Sequence, residues 1–218
     1  MNNVKDAAAH EDVYKGAKIG RVRTVEELTT ALSALIPAGL TVADIVFVCI
    51  GTDRSTGDAV GPFVGTYLSG LGYTNVYGTI DEPVHAMNLE VTITSLPADK
   101  TVIAIDACLG AIHNIGTMGV INGPLKPGAG VNKDLPYVGD YSINATVNVS
   151  GFMEYFVLQN TRLSLVIKIA KDITSALVNT FPLSGESRKV AEENTVSPAP
   201  IKKKRGRPRK VKTEGVSA

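Results

Sequence analysis

The 218-residue chain has no tryptophan, two cysteines and three histidines, and each shortage removes a class of protein. Cys49 and Cys108 each lie in or at the end of an apolar run, where a free thiol behaves as a small hydrophobe. They provide neither a disulfide framework nor a cysteine-based zinc site, and a reducing compartment is expected. No run of 18 uninterrupted apolar residues exists and the N-terminus lacks a charged-then-apolar leader. Membrane spanning and secretion are therefore not expected, and a soluble cytoplasmic protein is. Gly-x-Ser-x-Gly is missing and neither Ser55 nor Ser150 adjoins a histidine, which leaves a serine triad unsupported. Gly51-Thr52-Asp53 falls short of the dinucleotide fingerprint, and there is no Gly-Lys-Ser/Thr phosphate loop. Internal repeats are absent.

What remains is a globular composition, 44% hydrophobic and 20% charged, in a length suited to one domain with appendages. The net charge of +1 conceals a split. Residues 1–182 carry 12 basic against 17 acidic residues, and residues 183–218 carry 10 against 4. The first part is a net-acidic folding unit. The second, rich in Ser, Glu, Pro and Lys, is expected to be a disordered basic tail.

Residues 1–23 show no sustained period and read as a flexible lead-in. Order is expected from Thr24, where Thr24-Val25-Glu26-Glu27 has capping-box spacing and Leu28, Leu32 and Leu35 follow at helical intervals up to Pro37. Ile45 to Ile50 is a continuous apolar run, the mark of a strand buried on both faces. A polar loop leads to a helix expected over Asp58 to Leu71, a strand over Asn75 to Ile80, a helix over His85 to Leu96 and a buried strand over Thr101 to Ile105. Alternation of this kind requires a mostly parallel sheet with helical crossovers. Two more strands are expected over Thr117 to Ile121 and Ser142 to Val149, around a long loop. Helix follows from Phe152 to Phe181, with a break near Gln159-Asn160-Thr161.

Ligands of open parallel sheets bind beyond the carboxyl ends of the strands. Acidic residues gather there: Asp53 and Asp58 after the first buried strand, Asp81 and Glu82 with His85 after the second, and Asp106 after the third. A carboxylate ending the run Val102 to Ile105 is taken partly from water and needs a proton, a partner or a cation. Asp58 and Asp106, on neighbouring strands, can share a proton to position water or can hold a divalent metal, and both designs serve hydrolysis. A metal would want a third ligand from His85 or His113. Asp53 and Glu82 are candidate neighbours of the pair. Asp140, in Val138-Gly139-Asp140-Tyr141-Ser142, is either a further supporting group or, as is usual for Asp beside Gly, the anchor of its loop.

The segments Cys49-Ile50-Gly51-Thr52-Asp53-Arg54-Ser55-Thr56-Gly57-Asp58-Ala59-Val60-Gly61-Pro62, Ile105-Asp106-Ala107-Cys108-Leu109-Gly110, Lys126-Pro127-Gly128-Ala129-Gly130, Val138-Gly139-Asp140-Tyr141-Ser142 and Phe152 to Leu163 together resemble the YyaC family of sporulation proteases. The resemblance spans about residues 24 to 181. That family is similar to the spore germination protease and, more distantly, to hydrogenase maturation endopeptidases. The resemblance implies a three-layer α/β/α sandwich and an aspartate-dependent endopeptidase acting on a protein or peptide substrate during sporulation or germination. By motif, the acidic site residues of those relatives fall on Asp58 and Asp106. The maturation enzymes add a histidine as a third metal contact, which Tyr141 to Gly151 does not offer. The resemblance therefore favours a two-aspartate site without a resident cofactor.

The tail lies outside the resemblance. Ile201 to Lys210 holds seven basic residues in ten and contains Arg205-Gly206-Arg207-Pro208-Arg209-Lys210, an AT-hook-like motif. Slender arginines suit the narrow, strongly negative minor groove of A·T tracts. The expected reading is a peptidase domain over 24–182 of a sporulating cell, in the forespore or the mother cell. Its tail would tether it to A·T-rich DNA of the nucleoid. The alternative, from another class, is a non-catalytic DNA-associated protein whose enzyme-like domain binds or oligomerises.

Overall fold

The computed structural model describes residues 18–128 and 135–183. The tail, with its AT-hook-like motif, and most of the lead-in lie outside the described residues. The elements are β1 (Lys18–Val22), α1 (Val25–Leu35), β2 (Ile45–Cys49), α2 (Val60–Gly70), β3 (Val76–Tyr77), α3 (Leu89–Ser95), β4 (Thr101–Gly110), β5 (Met118–Asn122), β6 (Tyr141–Val149), α4 (Glu154–Gln159) and α5 (Leu163–Thr180). They form one six-stranded sheet in the order β1-β5-β6-β4-β2-β3. The pairs β2–β3, β2–β4 and β4–β6 are parallel, while β5 runs antiparallel to both β6 and β1. One strand of the six thus opposes the rest, and the mostly parallel sheet expected from the alternating pattern, in the α/β sandwich implied by the resemblance, is the architecture observed.

The two faces of the sheet are covered unequally. Ile45, Phe47, Cys49, Ile103, Ile105, Ile143 and Val147 point to one face, where α1, α2 and α5 bury Leu28, Leu32, Val64, Leu68, Val166, Ile169 and Ile173 against them. At roughly 1.5–3 kcal/mol for each fully buried large aliphatic side chain, this face holds most of the apolar stabilisation. The opposite face has a smaller cluster of Val46, Val48, Ile50, Val84, Leu89, Ala104, Leu125 and Val138. Its cover is the two-turn α3 and the loops beside it, so the far end of the sheet is left open on that side.

Several boundaries differ from the sequence expectation. A strand precedes Thr24: Lys18 to Val22 pairs with β5 as an edge strand, with an irregular register between Ile19 and Val22. The helix after β2 starts at Val60, because residues Thr56–Ala59 form a tighter 3-10 turn that carries Asp58. The strand expected to reach Ile80 ends at Tyr77, and Gly78 then turns with φ +95°. Helix α3 begins at Leu89 because the Asn88 carboxamide is folded back, accepting from the His85 amide at 2.8 Å and donating to the Pro83 carbonyl at 3.0 Å. The capping box is present: Thr24 accepts from the Glu27 amide at 3.2 Å and Glu27 accepts from the Thr24 amide at 3.3 Å.

Candidate active site

Asp58 is held by backbone packing. Gly51, at φ +144°, ends β2 so closely beneath the turn that a Cβ there would lie 1.9 Å from the Asp58 carbonyl oxygen. In its place the Asp58 carbonyl accepts from Thr52 N at 3.1 Å and the Asp58 amide donates to the Ser55 carbonyl at 3.0 Å. A Cβ on Gly61 would lie 2.1 Å from the Ile50 carbonyl oxygen, and one on Gly57 would strike Thr161 and Leu158 at 2.7 to 2.9 Å. The glycines of Gly57-Asp58-Ala59-Val60-Gly61 therefore let three chain segments meet backbone to backbone around the aspartate.

Asp106 arrives from inside β4, with Ile105 paired to Cys49 on one side and Asp106 itself paired to Asn144 on the other. It is 8% exposed, and its Oδ1 accepts from the Ala107 amide at 2.8 Å. Burial, and then the charge of Asp58, push its carboxyl well above the ordinary range, against a lesser opposing effect of the Ala107 amide. Burial alone raises Asp58 to about 6. Both changes share a cause, since the ionised form is costly in a partly dehydrated cleft and two such charges cost more.

The two aspartates line one cavity of about 460 Å³ beside the open end of the sheet. Its floor is Asp106 to Leu109 of β4 with Asn144 of β6. Its walls are Ile50, Gly51, His85 and Ala86 on one side and Glu154 and Leu158 of α4 on another. Pro124 to Gly128 and Leu135, from the long loop that follows β5, close it further. A cleft of this size accommodates a few residues of an extended chain.

The other expected residues are placed variously. His85 lines the cavity, and its Nδ1 accepts from the Met87 amide at 3.2 Å. Asp53 and Glu82 are exposed and outside the cavity lining. Asp140 lies at the opposite end of β4, where its Oδ2 accepts from the Val102 amide at 2.8 Å and its own amide donates to the Val102 carbonyl. It ties a loop and does not reach the aspartate pair. His113 sits in an exposed 3-10 turn whose carbonyl accepts from Arg23. Among the described residues no three His, Cys, Asp or Glu side chains converge as a metal-ligating group.

Sequence reasoning did not identify Asn144, Cys108 and Glu154 as cavity residues. For Asn144 a signal was available: residues 142–147 alternate polar and apolar, so one face of β6 is polar. Cys108, two residues from Asp106 and on the same face, bonds Thr146 Oγ1 at 3.5 Å. Burial pushes its thiol up, away from thiolate chemistry. Thr146 in turn accepts from Arg21 of β1 at 2.5 Å.

Among the described residues, no helix is long and apolar enough to cross a membrane. A family model described as protein of unknown function (DUF1256) matches residues 19–176, and the chain belongs to that family. It is 56% identical over 138 residues to the uncharacterized protein YyaC of Bacillus subtilis (strain 168), a match covering 61% of this chain and 67% of that one. Among solved structures it is similar to the NiFe hydrogenase maturation protease HycI of Thermococcus kodakarensis KOD1. That likeness has 19% identity and a TM-score of 0.46 over 73% of this chain and 99% of the other, and concerns the fold.

Proposed function

We propose that this member of the DUF1256 family is an endopeptidase in which Asp58 and Asp106 share one proton and activate a water molecule. The observation that carries the reading is the convergence on one cleft of two shielded carboxyls, Asp106 buried and Asp58 half-buried. At neutral pH Asp58, the stronger acid, is the carboxylate and general base, while Asp106 keeps its proton and is the general acid. Asp58 takes a proton from water as its oxygen attacks the peptide carbonyl carbon, and Asp106 protonates the carbonyl oxygen. The resulting diol collapses: Asp58 passes its proton to the leaving nitrogen, the C–N bond breaks and the diol returns a proton to Asp106. Each carboxyl ends as it began.

The sporulation setting rests on the motif resemblance. The DNA tether rests on the sequence of residues 201–210, in a chain whose folded part is net acidic and would itself repel phosphate. The substrate would then be a protein met near DNA.

The test is incubation with a peptide library prepared from a bacterial proteome, with new termini read by mass spectrometry. Cleavage by the full chain, lost in both Asp58→Asn and Asp106→Asn, is the expected result. Cleavage retained in either variant refutes the assigned roles. Activity lost to a chelator and restored by a divalent cation would replace the shared proton by a metal held between the same two carboxyls.

A further inference from the structure

The proton-sharing mechanism gives no task to Asn144, a polar side chain of the cavity. Asn144 is the register partner of Asp106 on the adjoining parallel strand, where neighbouring strands lie about 5 Å apart and paired residues face the same side. Both residues line the cavity. The Asn144 carboxamide makes no hydrogen bond among the described residues. Other asparagines of the fold are occupied in holding turns: Asn88 binds the His85 amide and the Pro83 carbonyl, Asn148 binds Val157 and Thr161, and Asn160 binds the Phe156 carbonyl. A half-buried amide with unused donors on the wall of a cleft is an arrangement that a ligand completes.

Peptide hydrolysis builds negative charge on the carbonyl oxygen, and donors fixed in advance at that point do most to lower the barrier. Four backbone amides around the pair are already spent. Ile50 N donates to Ile105, Gly51 N to Val84, Thr52 N to Asp58 and Ala107 N to the Asp106 carboxyl. Lys126 also lines the cavity, but its ammonium lies over the Tyr137 ring, 5.6 Å from the centroid. Asn144, as the register partner of Asp106, is the side-chain amide that stands beside the Asp106 carboxyl.

We propose that Asn144 is a catalytic residue of this site: its Nδ2 donates to the carbonyl oxygen of the bond being cleaved, next to the Asp106 hydroxyl. The two side chains form a two-donor cradle, one neutral and permanent, the other supplying the proton. This inference rests on the peptidase reading above. It adds that the substrate carbonyl lies across β4 and β6, with the attacking water on the Asp58 side.

Asn144→Leu, which keeps most of the volume and deletes the donor, and Asn144→Ala are compared with the unmodified full chain and with Asp106→Asn. The probe is a fluorogenic peptide built on the sequence best cleaved in the library experiment, and thermal unfolding is followed alongside. Loss of one oxyanion donor lowers kcat by about 10²–10³-fold. The pH dependence of kcat stays in place, because Asn does not titrate. Unchanged kcat, a change confined to KM, or a displaced pH profile in both folded variants overturns the role of Asn144 while the aspartate mechanism stands. No cleavage of any library peptide by the unmodified chain overturns both.

Discussion

Asp58 and Asp106 reach the same cavity from opposite structural circumstances, one on a 3-10 turn beyond the end of β2 and the other within the next strand of the sheet, and the charge of Asp58 helps keep the proton on Asp106. A carboxyl on a turn can be ionised at moderate cost. One built into a ladder, 8% exposed, cannot. The asymmetry on which the proposed assignment of base and acid rests thus follows from where each side chain leaves the backbone.

Replacing either carboxyl by an amide should stabilise the protein at neutral pH while ending its activity. The folded state holds these protons at pH values where the unfolded chain, with Asp near 3.8, has released them, so stability falls as pH rises through that window. For Asp58, a rise from 3.8 to about 6 corresponds to roughly 3 kcal/mol. Asp58→Asn should therefore melt near the unmodified protein below pH 3.8, gain on it as pH rises to about 6 and remain ahead at neutrality. Asp106→Asn should keep gaining at still higher pH. Thermal melts across the pH range test this, and variants that melt lower than the unmodified protein at pH 7 would contradict it.

The rate of peptide cleavage should rise with pH through about 6, as Asp58 ionises, and fall at higher pH when Asp106 loses its proton. The two limbs belong to the pair as coupled acids. A profile of kcat/KM that is level from pH 4 to 8 would dissociate Asp58 from the rate.

Gly61→Ala should damage both fold and site, because its methyl group would meet the Ile50 carbonyl and shift the helix that follows Asp58. Overpacking of this kind costs about 1–3 kcal/mol. Gly119→Ala, on β5 with open space around it, serves as the matched control and should leave the midpoint of chemical unfolding nearly unchanged. Equal unfolding midpoints for the two variants would remove the close-packing account of the glycine motif.

The basic tail should prefer A·T-rich over G·C-rich duplex DNA at fixed salt, and Arg205→Lys with Arg207→Lys should remove most of the preference while keeping the charge. Truncation after Phe181 should abolish DNA binding and spare peptidase activity. Equal affinity for the two duplexes would reduce the tail to a general polyanion binder.

The parts of the fold legible in sequence were those whose cause is local. The Thr24 capping box, the apolar runs of β2 and β4 and the break between α4 and α5 each write their own signal. The edge strand β1 does not, since Lys-Ile-Gly-Arg-Val alternates poorly and owes its pairing to β5, about a hundred residues away. The aspartates could be nominated because strand ends are predictable places. Asn144 could not be paired with Asp106, because register between strands separated by 38 residues is set by tertiary packing. Asp140 illustrates the reverse: its attachment to the Val102 amide follows the ordinary habit of Asp beside Gly, and that habit also explains its distance from the site.

The wall of the cleft contributed by Pro124 to Gly128 and Leu135 is attached to the rest of the sheet differently from the glycine-packed wall opposite. Leu125 and Val138 exchange two backbone hydrogen bonds, both 2.9 Å, in a single isolated bridge over the smaller apolar cluster. With about 1 kcal/mol net for each bond and roughly 1.5–3 kcal/mol for burying each of the two side chains, that latch holds only part of the roughly 5–15 kcal/mol expected for a whole domain. In amide hydrogen exchange, Leu125 and Val138 should consequently lose protection by a local opening that leaves Ile103 and Ile105 untouched. Such an opening would leave the cleft with one side fixed by glycine packing and the other free to yield, and under the peptidase proposal an extended chain would enter from that side.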